Sequence, residues 1–95
     1  MLDIDSEPMV ELVVDRSRAR QSGPDIRLRV SPRSTVRDLQ SSITDKLGIK
    51  ADQQFLEFNE HVLTARPHEK LASFGIKDLS LIWLDDQGLL AMFFH

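Results

Sequence analysis

Between Val36 and Leu47 the apolar residues Val36, Leu39, Ile43 and Leu47 recur at three- and four-residue spacing. That spacing predicts one amphipathic helix over about 35–47 with a single greasy stripe. Arg37, Asp38, Gln40, Ser42, Asp45 and Lys46 fall on the other side and are expected to point away from the core. Pro32 closes the extended run before the helix, Thr35 suits the N-cap, and Asp38 three residues later reaches back as a weaker capping box. Gly48 follows the stripe directly, where a left-handed stop is cheap. A helix of this length does not stand alone in water and needs a sheet to lie on.

The flanking segments change period from four to two. In Val10–Asp15, Val10, Leu12 and Val14 share one face and Glu11, Val13 and Asp15 the other. Asp25–Ser31 turns Ile26, Leu28 and Val30 inward and Arg27 and Arg29 outward, so the two runs form a hairpin around the polar, basic loop RSRARQSGP. After the inward anchor Ile49, Phe55–Phe58 sends Leu56 and Phe58 toward the helix and Phe55 and Glu57 to the opposite face. Val62 and Leu63 suit a short edge strand, Arg66–Glu69 a loop, and Ser80–Asp85 a last strand with Ile82 and Leu84 inward and Leu81, Trp83 and Asp85 outward. The inward set, with Leu63, Leu71 and Ile76 added, is large enough to hold one domain together at roughly 1.5–3 kcal/mol per buried aliphatic side chain.

Ninety-five residues, 41% hydrophobic and 28% charged, describe an ordinary globular chain. The reading divides it into an acidic flexible leader (1–9), a folded domain (10–86) and an apolar C-terminal tail (87–95). Cysteine is absent, which removes disulfides, thiolate nucleophiles and thiolate metal sites. No signal peptide and no run of membrane-spanning length is visible, so an intracellular setting, cytoplasmic or nuclear, is expected and a membrane partner is not. The net charge of −3 hides an asymmetry: Arg16 to Arg37 holds seven arginines against the single acid Asp25, or +6, and the remainder carries −9.

Little in the chain points to chemistry of its own. His61, His68 and His95 fall in two loops and at the end, without the convergent set a zinc ion requires. Asp3, Asp5 and Glu7 alternate as calcium ligands do, but the rest of an EF-hand loop is missing. There is no G-x-S-x-G elbow and no glycine-rich phosphate cradle. The expectation is a non-enzyme with no catalytic residue, no metal and no cofactor.

The ordered set Ser34-Thr35-Val36, the helix, Gly48-Ile49, Asp52-Gln53-Gln54, Phe55–Phe58, Leu63, Leu71–Phe74, Gly75–Asp78 and Ser80–Leu84 closely resembles ubiquitin and its relatives over roughly Val10 to Asp86. The resemblance implies an α+β, ubiquitin-like β-grasp fold: a mixed sheet of four or five strands crossed by one α-helix, with first and last strands as parallel central neighbours. It also implies a short 3₁₀ turn near 71–74, where Phe74 replaces the tyrosine that commonly pins the loop. Carried over by position, the apolar patch through which ubiquitin binds its receptors is lost. Glu57 and Asp85 stand where that patch has isoleucine and valine, and Trp83 where it has histidine. Docking to typical ubiquitin receptors would bury unpaired charge, so such receptors are disfavoured. Lys46 keeps one lysine position, whereas His61 and Asp78 replace the two most familiar chain-linkage lysines, and no Gly-Gly ends the chain.

What remains is a surface to be gripped: a non-conjugating interaction domain, a module of a larger protein, binding a protein partner through Val13, Phe55, Glu57, Leu81, Trp83 and Asp85. The basic patch Arg16, Arg18, Arg20, Arg27 and Arg29, its first three members on a flexible loop, would set orientation. The plainer account of these arginines is a solvated face pairing with nearby acids. Two alternatives stay open, a modifier processed after Gly88 and an acidic-ligand binder, nucleic acid or phosphoinositide, through the arginines. Against nucleic acid stand the acidic total and the lack of interleaved aromatics. For the tail, with Leu89, Leu90, Met92, Phe93 and Phe94, three readings stay open: it covers the outer sheet face over Val13, Phe55, Leu81 and Trp83, it leaves that face to a partner, or it begins a longer chain. A monomer is expected unless that tail drives self-association.

Overall fold

The structure, a computed structural model, describes residues 9–20 and 22–86. Five strands, β1 (Val10–Asp15), β2 (Ile26–Val30), β3 (Phe55–Phe58), β4 (His61–Val62) and β5 (Leu81–Asp85), form one sheet in the order β2-β1-β5-β3-β4. Among the described residues one α-helix, α1 (Val36–Leu47), crosses it. The first and last strands are central and parallel, with Val14 opposite Ile82 and Asp15 opposite Trp83. All other pairings are antiparallel.

The helix begins and ends where its sequence says. Asp38 N–H donates to Thr35 Oγ1 at 3.2 Å and Thr35 N–H to Asp38 Oδ2 at 3.0 Å, a complete capping box. Gly48 adopts φ +75° and donates to the Thr44 carbonyl at 2.8 Å. Val36, Leu39 and Ile43 are fully buried among Leu12, Val14, Leu28, Val30, Leu56, Leu63, Leu71, Ile82 and Leu84. Leu47 and Ile26 pack at the margin of that core.

Two details differ from expectation. Gln40, assigned to the polar side of the helix, is buried, and its Nε2 donates to the Ala51 carbonyl at 3.2 Å. A polar residue flanking the stripe is drawn in because the 3₁₀ turn Ala51–Gln53 passes close, and its Ala51 carbonyl, already bonded to the Gln54 amide, accepts a second hydrogen bond. The edge strand is His61–Val62, and Leu63 instead opens a 3₁₀ turn through Ala65 that buries its side chain. The turn expected near 71–74 is present as Leu71–Phe74.

The hairpin β3–β4 closes through Asn59 and Glu60, with φ +49° and +70°. Two-residue loops with positive φ at both positions match the twist of the strands, and Asn-Gly fills them best. Glu60 is the misfit. Glu60→Gly is expected to raise the unfolding free energy by about 1 kcal/mol in a denaturant titration, and a loss of stability would show that the Glu60 side chain holds the turn.

Candidate partner-binding surface

The face of the sheet turned away from α1 is built in rows fixed by register. Arg27, Val13 and Leu81 form one row, and Asp15, Trp83 and Glu57 the next. Phe55 and Asp85 follow at the β3–β5 end. Leu81 is 38% exposed, while Val13, Glu57 and Trp83 are half-buried.

Phe55 and Asp85 are not open in the way alternation alone implies: they are 5% and 7% exposed. Phe55 lies outside the main core and lines an open groove of about 540 Å³ between α1, β3 and the turn after β4, together with Arg37, Gln40, Val62 and Pro67. Alternation assigns a side chain to a face; it does not say what covers that face. The accessible centre is therefore Leu81 and Trp83.

The arginines are distributed rather than gathered. Arg18 places its guanidinium carbon 4.2 Å from the centre of the Trp83 ring and its Nη1 3.4 Å from Glu57 Oε1. A cation stacked on the indole and paired with the neighbouring carboxylate caps Trp83 on the solvent side. Arg16 packs against Gly23, where an added Cβ would come within 3.0 Å of its Nη1. Arg20 is exposed, but its N–H donates to Asp86 Oδ1 at 2.7 Å. Arg27 pairs with Glu11 at 2.8 Å and Arg29 faces solvent beside it on β2.

Residues 16–20 of the β1–β2 loop are consequently pinned, not the flexible basic arm expected. Ser17 N–H donates to Asp15 Oδ1 at 2.8 Å, Ala19 N–H to the Arg16 carbonyl at 3.0 Å, and Ala19 is buried. Its polar composition hid this, because one small apolar residue and two backbone bonds leave no periodic signal. The plainer account of the arginines, pairing with nearby acids, holds for Arg18 and Arg27.

Among the described residues no three His, Asp or Glu side chains converge to hold a metal ion. No described helix is long and apolar enough to cross a membrane. Of the histidines, His61 stacks at a tilt on Phe74, with ring centres 6.0 Å apart. His95, Gly88, the acidic leader through Pro8 and the apolar tail from 87 lie outside the described residues.

The sequence matches no protein-family model and no curated protein. Solved structures do match. Ubiquitin of Caldiarchaeum subterraneum is similar with a TM-score of 0.73 at 18% identity, over 86% of this chain and 98% of that one. A ubiquitin-like domain of an Arabidopsis thaliana protein gives a TM-score of 0.76 at 16% identity, over 90% of this chain and 84% of that one. The chain has the ubiquitin-like β-grasp fold. At these identities the likeness is one of fold, and the surface must be read from this chain's own side chains. On this ubiquitin-like scaffold the middle of the outer face carries Trp83 between Arg18 and Glu57.

Sequence reasoning found Leu81, Trp83 and Glu57 but missed two things. One is the Arg18 cap, since nothing in the sequence says how a nine-residue loop folds. The other is Leu79, 60% exposed with φ +66°; leucine is not a turn residue, and only the Asp78-Leu79-Ser80 setting before a strand hinted at a turn there.

Proposed function

We propose that this ubiquitin-like domain is a non-conjugating protein-interaction module of an intracellular protein, cytoplasmic or nuclear, with no catalytic role. The observation that carries the reading is Trp83, half-buried at the centre of the outer sheet face beside exposed Leu81, with Arg18 stacked on it and Glu57 paired to that arginine. An amphipathic tryptophan flanked by charges is the usual make-up of a binding hot spot. Where ubiquitin has its apolar patch this face carries the Arg18–Glu57 ion pair over Trp83 and an enclosed Asp85, which supports a partner other than the typical ubiquitin receptors. Val13 and Phe55 complete the proposed face, the first half-buried and the second as a buried support. The spread of the arginines over loop, sheet face and strand supports a protein partner over nucleic acid, which would call for one continuous basic track.

Proximity labelling in cells, followed by binding measurements on the purified partners, tests this reading. Trp83→Ala is expected to weaken the main partner by at least about 2 kcal/mol, some thirtyfold, with unchanged thermal unfolding. Unchanged affinities would remove it. Adducts of this chain on other proteins, ending at Gly88, would establish the modifier instead, and a steep fall of RNA or phosphoinositide binding with salt would establish the acidic-ligand binder.

A further inference from the structure

We infer that the corner formed by Met9, Leu79 and Leu81, with Val13 beside them, is a second docking site, and that its occupant is a peptide segment of another protein combining apolar and acidic side chains. The described residues expose three large apolar side chains, Met9 at 45%, Leu79 at 60% and Leu81 at 38%. Backbone register sets them along one corner of the sheet: Val13 and Leu81 are register partners, Leu79 N–H donates to the Glu11 carbonyl at 2.6 Å, and Met9 lies two residues before Glu11, just ahead of β1.

Leu79 is the telling residue. Its backbone is fixed from three sides: by its own bond to Glu11, by Ser80 N–H to the Lys77 carbonyl at 3.0 Å, and by Val13 N–H to the Ser80 carbonyl at 3.0 Å. Glu11 N–H to Asp78 Oδ1 at 2.8 Å clamps the same turn from the other strand. These bonds hold residue 79 at φ +66°, a conformation suited to glycine or asparagine and costly for leucine. The side chain recovers little in return, because most of it stays exposed. Glycine would serve the fold better on both counts. A leucine that harms its own domain twice answers to something outside it.

Charge defines the occupant. The two acids at the corner are already engaged, Glu11 with Arg27 at 2.8 Å and Asp78 with the Glu11 amide. Arg29, the register partner of Glu11, and Lys77 in the turn make no ion pair among the described residues. An apolar corner rimmed by unmatched cations favours aliphatic or aromatic side chains next to carboxylates. This site rests on the same premise of a protein partner as the proposed function and shares Leu81 and Val13 with its face, but adds Leu79 and Met9 and does not use Trp83.

Panning a display library of random twelve-residue peptides on the full 95-residue chain tests it, with enriched peptides then measured against three variants. Peptides pairing Leu, Ile, Val or Phe with Asp or Glu are expected to emerge, to bind Leu79→Gly and Leu81→Gln at least tenfold more weakly, and to bind Trp83→Ala within twofold of wild type. Leu79→Gly is also expected to unfold at the same or a higher denaturant concentration, so its lost binding would not be lost folding. Several results would overturn the inference: no enrichment, enriched peptides without acids, or binding that survives Leu79→Gly and Leu81→Gln. Concentration-dependent self-association abolished by Leu79→Gly would also overturn it, by making a second copy the occupant. Loss with Trp83→Ala alone would assign the peptides to the Trp83 end of the same face, overturning the corner site and leaving the proposed function standing.

Discussion

Ile43→Ala is expected to lower the unfolding free energy by about 2–5 kcal/mol, read as a shift in the urea midpoint at unchanged slope. Ile43 sits in the middle of the apolar stripe of α1, fully buried. Truncation removes the transfer free energy of three carbon groups and leaves a void that a helix clamped at both ends closes poorly. The Thr35–Asp38 box holds one end and Gly48 the other. Against a typical total of about 5–15 kcal/mol, such a loss takes a large part of the stability. Asp45→Ala on the exposed side of the same helix is expected to stay within about 0.5 kcal/mol of wild type. If the two variants lose equally, α1 is not the element the core is packed on.

Gln54→Leu is expected to destabilise by about 1–3 kcal/mol although it places an aliphatic side chain at a buried site. The Gln54 amide nitrogen donates to the Gln40 carbonyl at 3.0 Å, to the Ile49 carbonyl at 2.9 Å and to Thr44 Oγ1 at 3.1 Å. Thr44 Oγ1 itself lies 3.0 Å from the Gln40 carbonyl and 2.8 Å from the Ile49 carbonyl, and its single proton serves one of them. Without Gln54, the Gln40 carbonyl keeps its intrahelical donor, the Thr44 amide, while the Ile49 carbonyl loses one of its two donors and depends on the Thr44 hydroxyl alone. Removing Gln54 Oε1, which is buried with no hydrogen-bond partner, offsets part of this loss. The Gly48 and Gln54 amides, bonded to Thr44 and Ala51, are expected to exchange faster in the variant. Stability equal to wild type would mean that Thr44 alone satisfies both carbonyls.

These two residues mark how far the chain could be read in advance. The stripe around Ile43, the inward sets of β1, β2, β3 and β5 and the stop at Gly48 were legible because each rests on spacing, and spacing is imposed by the geometry of one element. Gln54 carried no such signal. Its task is to join the end of α1 to the start of β3; the Asp52-Gln53-Gln54 resemblance marked its position, but no spacing tells that a glutamine before a strand bridges two elements. Gln40 was misplaced for the same reason: its partner, the Ala51 carbonyl, lies in the turn after the helix. On the binding face, alternation placed Leu81, Trp83, Phe55 and Asp85 together on the outer side, but covering is a tertiary property, and Phe55 and Asp85 proved to be enclosed. The Arg18 cap and the pinning of the β1–β2 loop depend on a side chain stacking across strands and on a backbone bond to Asp86, far away in the chain.

The parallel pairing of β1 with β5 has a consequence for the birth of the molecule. The last strand to be made occupies the middle of the sheet, so no earlier fragment contains a closed hydrophobic layer. At a synthesis rate of roughly 5–20 residues per second, β1 waits about 3–13 s for its central neighbour. Through that interval the nascent hairpin and the greasy side of α1 stay open to chaperones on the ribosome. Folding then arrives as one late event, and a chain stalled before Leu81 is expected to be cleared by proteolysis rather than kept as a partial domain.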